Sequence, residues 1–199
     1  MRVTLPNLIT LARLLAVPLI VWLIMQGEIS AAFWLFIAAG ISDAVDGFLA
    51  RALRARSTLG EYLDPLADKA LLVSIFVTMG LVGLMPSWLV ILVVSRDLLI
   101  IGAVVLSWMM SYPVTIDPAM ISKANTSVQI AYAGLVLAAE GFQLEIGQIS
   151  LLGAYLVGLT TFLSGLNYLI DWLRGMNDWE KRQATGPVDA GNRPEGSDT

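Results

Sequence analysis

The chain has 199 residues, of which 57% are hydrophobic and only 14% are charged, and its mean hydropathy is +0.75. Soluble domains carry about 25% charged residues, so this composition argues against a soluble globular domain and for a membrane protein. The absence of cysteine and histidine excludes disulfides, thiolate chemistry and the commonest zinc ligands, and the net charge of −4 indicates no nucleic-acid partner.

Apolar runs about 20 residues long, enough to cross a bilayer as a helix, recur along the whole sequence. They predict an all-α integral membrane protein with six transmembrane helices, at 7–26, 30–53, 61–83, 87–111, 121–141 and 148–173. Together these helices form one transmembrane domain, residues 1–173. The polar residues 174–199 are predicted to form a disordered cytoplasmic tail.

The positive charges near the predicted spans lie at alternate span ends: Arg2, Arg51, Arg54, Arg56, Arg174, Lys181 and Arg182. The intervening loops, near residues 27–29, 83–87 and 142–147, contain no lysine or arginine. Because positive residues stay on the cytoplasmic side, both termini and the loop 51–60 are expected there. A bacterial inner membrane fits this arrangement.

Four aspartates flank the 51–60 loop. Asp43 and Asp46 are three residues apart on the second predicted helix, and Asp64 and Asp68 are four apart on the third. Each spacing puts both residues of a pair on one helix face. A short connection predicts that the two helices are antiparallel neighbours, so the four carboxylates are expected to converge.

A charged aspartate at mid-membrane costs about 2.5–3.5 kcal/mol, and clustering four of them adds repulsion. Divalent cations would offset that cost. Oxygen ligands without histidine or cysteine favour Mg²⁺, Mn²⁺ or Ca²⁺. Four carboxylates can hold two such ions, an arrangement used for displacement at phosphorus.

Small and basic residues accompany the aspartates. Gly47 and Ala50 leave the aspartate face of the second helix open to a ligand, although close helix packing explains them equally well. Gly60 lies one turn before Asp64, where a bulky side chain would block the site. Arg51 could bind phosphate bidentately, or it could be a cytoplasmic anchor.

These residues form the motif Asp-x2-Asp-Gly-x2-Ala-Arg-x8-Gly-x3-Asp-x3-Asp, which resembles the signature of the CDP-alcohol phosphotransferases. Its eight fixed positions are Asp43, Asp46, Gly47, Ala50, Arg51, Gly60, Asp64 and Asp68. The resemblance implies that an acceptor hydroxyl attacks the β-phosphorus of a CDP-linked alcohol, usually CDP-diacylglycerol, and that CMP leaves.

The resemblance also implies roles for residues. Asp43, Asp46 and Asp64 would bind Mg²⁺ or Mn²⁺, two ions in all, and Asp68 would be both a metal ligand and the catalytic base. The residues expected to bind the nucleotide or the CDP-lipid are Asn7, Thr10, Asp46, Gly47, Ala50, Arg51, Ser57 and Gly60. A homodimer in contact with membrane lipids is expected.

Two further cations lie in or near apolar spans. Placing the charges of Arg96 and Lys123 in the membrane costs free energy unless the side chains face a substrate cavity. In such a cavity both could hold an acceptor phosphate. The alternatives are that Arg96 has a local partner such as Asp97 and that Lys123 reaches the membrane surface.

The runs Ser95-Arg96-Asp97 and Ser122-Lys123-x-Asn125-Thr126-x2-Gln129 resemble the CMP-forming cardiolipin synthases of the family more than its phosphatidylglycerophosphate synthases. They imply phosphatidylglycerol as the acceptor, with glycerol 3-phosphate as the alternative. Asn125 stands where a second lysine would suit that small dianion. A carboxylate-coupled ion transporter is a remote alternative, because it needs no glycine, alanine and arginine at fixed spacing.

Overall fold

The protein consists of six α-helices. The computed structural model describes the backbone of residues 5–52, 58–109 and 120–184 and, within these ranges, all side chains except those of 5–10, 43–44, 46–52, 58–68, 108 and 178–184. The helices are α1 Leu5–Met25, α2 Ile29–Ala52, α3 Thr58–Leu81, α4 Ser87–Met109, α5 Met120–Gly141 and α6 Gly147–Ala184. The described ranges contain no strand, so the prediction of six helices is confirmed.

The sixth helix is longer than predicted. It continues to Ala184, so residues 174–184 are helical, whereas the sequence analysis assigned them to a disordered tail. The prediction was wrong there because it followed hydropathy, which falls after residue 173. Glutamate, lysine, arginine, glutamine and alanine at 180–184 are good helix formers, and proline first occurs at 187. Residues 185–199 lie outside the described ranges.

The helices pack around α1 and α5. Helix α1 packs on α2 and α3, α5 packs on α2, α3 and α6, and α4 packs on α3 and α6. The core between them is apolar and includes Ile20, Ile24, Phe36, Ile75, Phe76, Met79, Leu89, Val93, Leu137 and Val157. Among the described residues α2 and α3 share no contact, although the sequence predicted packed neighbours. Both helices instead obtain their apolar contacts from α1 and α5.

Helix α5 approaches the start of α2 closely. A Cβ on Gly141 would lie 3.0 Å from the backbone of Ser30, so only glycine fits without displacement. The Ser30 hydroxyl donates a hydrogen bond of 2.5 Å to the Gly141 carbonyl, which would otherwise lack an intrahelical partner. This contact fixes the ends of α2 and α5 opposite the ends that carry the predicted site.

The outer surface of the bundle is apolar. Within the described residues, the segments Ser87–Ser107 and Gly147–Asn177 are long and apolar enough to cross a membrane, and three shorter apolar helical segments accompany them. Large side chains such as Leu98, Leu99 and Leu152 are between 60 and 69% exposed. A continuous exposed surface of this kind indicates contact with lipid rather than water.

Candidate active site

The four signature aspartates lie on two helices. Asp43 and Asp46 belong to the last part of α2, and Asp64 and Asp68 belong to the first half of α3. Their helical register agrees with the predicted spacing, since residues three or four apart share a helix face. Their side chains lie outside the described residues. The convergence of the carboxylates therefore stays a prediction.

The predicted nucleotide-binding residues are distributed over three helices. Asn7 and Thr10 lie in α1, Gly47, Ala50 and Arg51 in α2, and Gly60 in α3, whereas Ser57 falls in the undescribed segment 53–57. Both α2 and α3 pack on α1. The helices that carry the motif, α2 and α3, are thus both neighbours of α1, which carries its upstream stretch. The side chains of these residues lie outside the described part of the chain.

The donor set of the motif fits a hard divalent cation. It offers carboxylate oxygens alone, and the chain has no thiolate or imidazole ligand to compete with them. Elsewhere among the described side chains, no group of three acidic residues could hold a metal ion. That the four aspartates on α2 and α3 hold Mg²⁺ or Mn²⁺ stays a prediction.

A buried polar network lies one residue beyond Asp68. The Lys69 ammonium donates to Asp97 Oδ1 at 2.7 Å, and Arg96 Nη1 donates to the same oxygen at 2.7 Å. Arg96 Nη2 also donates to Ser122 Oγ at 2.6 Å and to Ser164 Oγ at 2.7 Å. We call these five residues the Asp97 network. It connects α3, α4, α5 and α6 at the level of the predicted base.

Arg96 is the structural centre of the Asp97 network. It is 4% exposed, and its two terminal nitrogens make three hydrogen bonds. A Cβ on Gly165 would lie 3.3 Å from Arg96 Cγ, so glycine makes room for the arginine side chain against α6. The local partner that the sequence offered as an alternative, Asp97, is present. Because these contacts use the terminal nitrogens of Arg96, few of its hydrogen-bond donors remain for an acceptor phosphate.

Lys123 is placed differently. Its side chain is exposed on α5, one residue after Ser122 of the Asp97 network. This position is compatible with both alternatives from the sequence, contact with an acceptor and extension to the membrane surface. Its role as an acceptor ligand stays a prediction.

A second polar cluster joins α5 to α6. Asn125 Oδ1 accepts hydrogen bonds from the hydroxyls of Thr160 and Thr161, both at 2.9 Å, and Gln129 Nε2 donates to Thr161 at 3.1 Å. Asn125 and Gln129 are fully buried. Asn125 is therefore a helix-packing residue, and its identity says less about the charge of the acceptor pocket than the sequence analysis assumed.

Lys69 is the residue that sequence reasoning missed. It is not among the site residues that the sequence predicted. Its side chain is 38% exposed while its ammonium is bonded to a buried carboxylate. The available signal was a charged residue beside an expected base in an apolar helix, which needs a partner or a ligand to offset its cost.

Comparisons with known proteins agree with the motif. The family model of the CDP-alcohol phosphatidyltransferases matches residues 3–163. A probable CMP-forming cardiolipin synthase of Drosophila melanogaster is 34% identical over 185 residues, which is 84% of this chain and 57% of that protein. Human CMP-forming cardiolipin synthase is 34% identical over 155 residues, 70% of this chain and 52% of the relative.

A relative with a different printed activity is equally similar. The chloroplastic CDP-diacylglycerol–glycerol-3-phosphate 3-phosphatidyltransferase 1 of Oryza sativa subsp. japonica is 35% identical over 187 residues, 84% of this chain and 56% of that protein. The chain spans about half the length of these three curated relatives. The family model nevertheless covers most of the chain, and the resemblance seen in the motif is confirmed: this membrane protein belongs to the CDP-alcohol phosphatidyltransferase family.

Proposed function

We propose that the protein catalyses metal-dependent transfer of a phosphatidyl group from CDP-diacylglycerol to a hydroxyl of phosphatidylglycerol, giving cardiolipin and CMP. The observation that supports this most strongly is the complete eight-position motif on two consecutive helices of a chain in this family. An ion transporter has no need of that motif.

In the proposed mechanism, two Mg²⁺ or Mn²⁺ ions would be held by Asp43, Asp46, Asp64 and Asp68. When bound, these ions supply positive charge that neutralises the diphosphate and the developing charge on the CMP leaving group. Asp68 accepts the proton of the acceptor hydroxyl. The hydroxyl oxygen forms a bond to the β-phosphorus, the bond from that phosphorus to the CMP oxygen breaks, and CMP carries away the electron pair.

The remaining signature residues are proposed to hold the donor. Asn7 and Thr10 would contact the CDP-lipid from α1, and Arg51 and Ser57 would contact the diphosphate. The small residues Gly47, Ala50 and Gly60 would keep space for the nucleotide near the backbone.

Phosphatidylglycerol is preferred as the acceptor for two reasons. The runs around Arg96 and Lys123 resemble cardiolipin synthases, and several relatives carry that name. A groove of about 510 Å³ between α4 and α6 is lined by apolar side chains such as Leu98, Leu99 and Leu169. An apolar groove of this kind suits the acyl chains of a lipid acceptor, which a soluble acceptor lacks.

Glycerol 3-phosphate is the second candidate. The observation in its favour is the rice relative, whose printed name includes that acceptor and whose identity to this chain is as high as that of the cardiolipin synthases. Both candidates present a glycerol hydroxyl three carbons from a phosphate, so the chemistry at Asp68 is the same for both.

We further infer that all six helices cross the membrane, with the motif and both termini in the cytoplasm. The distribution of lysine and arginine supports this orientation. A bacterial inner membrane and a homodimeric assembly remain our expectations for the intact protein.

CMP release by purified protein in mixed micelles tests this function. One arm contains CDP-diacylglycerol with phosphatidylglycerol and the other contains CDP-diacylglycerol with glycerol 3-phosphate, each with Mg²⁺ or Mn²⁺ and with a chelator control. We expect metal-dependent release with phosphatidylglycerol. CMP release with glycerol 3-phosphate alone would show that glycerol 3-phosphate, not phosphatidylglycerol, is the acceptor. No release in either arm would contradict the proposal.

Asn125→Lys tests whether position 125 selects the acceptor. Because Asn125 is fully buried between α5 and α6, an ammonium there would lose its hydration, and we expect destabilisation of about 3 kcal/mol without gain of glycerol 3-phosphate activity. The matched control is Ser127→Lys on the exposed side of α5. Thermal unfolding in detergent and the two-arm assay measure both effects. A stable variant that gains the second activity would contradict this expectation.

A further inference from the structure

The Asp97 network contains two cations that differ in what remains available to a ligand. The Arg96 side chain is enclosed at 4% exposure, and three of its donor positions already have partners. The Lys69 side chain is 38% exposed, and one hydrogen bond to a side chain is found for its ammonium, which carries three donors. Lys69 is therefore the cation that a substrate can reach.

The charges of the network do not cancel. Lys69 and Arg96 share one oxygen of a single carboxylate, Asp97 Oδ1, so the three side chains carry one excess positive charge. An excess cation among apolar helices is costly unless it meets water or an anion. A phosphate group supplies that anion, and the exposed part of Lys69 is the accessible end of the network.

The polar atoms left over agree with an incomplete site. Asp97 Oδ2 and Arg96 Nε are buried and have no hydrogen-bond partner among the described residues. Buried polar atoms are nearly always paired in folded proteins, so an orphaned acceptor and donor beside an excess cation indicate a missing polar group. Both atoms are enclosed, so a substrate would meet the network at Lys69 rather than at these two positions.

The position along α3 connects this cation to the chemistry. Lys69 directly follows Asp68, and adjacent Cα atoms are about 3.8 Å apart. In a helix the two residues are rotated by about 100°, so Lys69 lies on the α4 side of the predicted base. A phosphate held at Lys69 would therefore lie next to the predicted base, on its α4 side.

We propose that Lys69, held in place by Asp97, binds a substrate phosphate beside Asp68, whereas Arg96 positions Asp97 and ties the helices together. This inference rests on the proposed function and names a contact within that site. The phosphate belongs either to the acceptor or to the CDP-lipid. The contact of Lys69 with Asp97 of α4, a helix that also lines the apolar groove, favours the acceptor.

The test compares steady-state kinetics of Lys69→Met with those of wild-type protein, varying each substrate separately. We expect the KM of the substrate whose phosphate Lys69 holds to rise about tenfold or more, the effect of losing one charge-assisted hydrogen bond. We expect kcat to change less than about threefold, because the base remains. Lys69→Arg should restore most of the affinity, and Arg174→Met removes an exposed charge of α6 as a control.

The two KM values identify the source of the phosphate. A rise for the acceptor assigns Lys69 to that substrate, and a rise for CDP-diacylglycerol alone assigns it to the diphosphate. Unchanged KM values, or a loss of kcat alone with a lower unfolding temperature, would overturn the inference and leave Lys69 with a structural role.

A binding measurement separates this inference from the proposed function. If wild-type protein releases no CMP, the function fails, and ligand-induced thermal stabilisation by short-chain phosphatidylglycerol, glycerol 3-phosphate and CDP-diacylglycerol still tests Lys69. Stabilisation of wild type that Lys69→Met loses and Lys69→Arg keeps would support the contact. Equal stabilisation of all three proteins, or of none, would contradict it.

Discussion

Replacing Asp68 with asparagine is expected to reduce CMP release by about 10³-fold or more, since a positioned base alone contributes about 10²–10⁴-fold. The asparagine side chain keeps one oxygen that can face a cation, but its amide cannot accept the proton of the attacking hydroxyl. CDP-diacylglycerol binding should therefore be retained. Turnover is measured as CMP release, and binding as the thermal stabilisation that the CDP-lipid produces with metal present.

Asp171→Asn is the matched control for this loss. Asp171 is an exposed carboxylate of α6 that accepts a hydrogen bond from Asn167, and its replacement removes the same charge outside the motif. We expect wild-type turnover for it. An equal loss of CDP-lipid binding and turnover in Asp68→Asn would show that Asp68 acts only as a metal ligand. Unchanged turnover would exclude it as the base.

Hydropathy predicted where the helices are, because each apolar run has the length of a membrane span. The second helix was predicted at 30–53 and lies at Ile29–Ala52, and the fifth was predicted at 121–141 and lies at Met120–Gly141. The end of α6 could not be predicted in this way. Beyond residue 173 the chain is polar but still favours helix, and hydropathy measures only the apolar character of a segment.

The motif could be predicted because it depends only on which residues stand at short, fixed spacings in the sequence. Its residues lie on two helices at spacings that fix their faces, and the absence of histidine and cysteine favours carboxylates as the ligands of a divalent cation. The family match agrees with that interpretation. The roles of the individual aspartates remain predictions that the kinetics above will test.

The Asp97 network could not be predicted because its information is tertiary. Asp97 could be named from the sequence as a local partner of Arg96, but no local pattern indicated that this pair contacts Lys69, Ser122 and Ser164 on three other helices. Nor does periodicity specify which helix lies beside which. Lys69 of α3 reaches Asp97 because α3 packs on α4, whereas the sequence directed attention to the pairing of α2 with α3.

Removing Asp97 is expected to be the most destabilising change in this network. Asp97→Ala would leave the 4%-exposed Arg96 without its carboxylate, and breaking a buried ion pair in this way costs about 3–5 kcal/mol. Asp97→Ala should also weaken substrate binding, because Lys69 loses the carboxylate that holds it in place. Unfolding in detergent micelles, monitored by heat and by denaturant, measures the stability.

Three further variants show which lost interaction causes the loss of stability. Asp97→Asn keeps an oxygen acceptor, and Arg96→Met leaves Asp97 paired with Lys69, so both should cost less than Asp97→Ala. Adding Arg96→Met to Asp97→Ala should recover part of the lost stability, because the unpaired buried cation is then absent. Additive losses in the double variant would contradict an uncompensated Arg96 as the cause.

Lys69→Met separates the roles of the two cations. That variant leaves the buried bond between Arg96 and Asp97 intact, so we expect it to unfold close to wild type while its KM rises. Asp97→Ala should instead lose stability first and affinity as a consequence. If Lys69→Met were as unstable as Asp97→Ala, the exposed and enclosed cations would share one structural role, and the division between a binding lysine and a positioning arginine would fail.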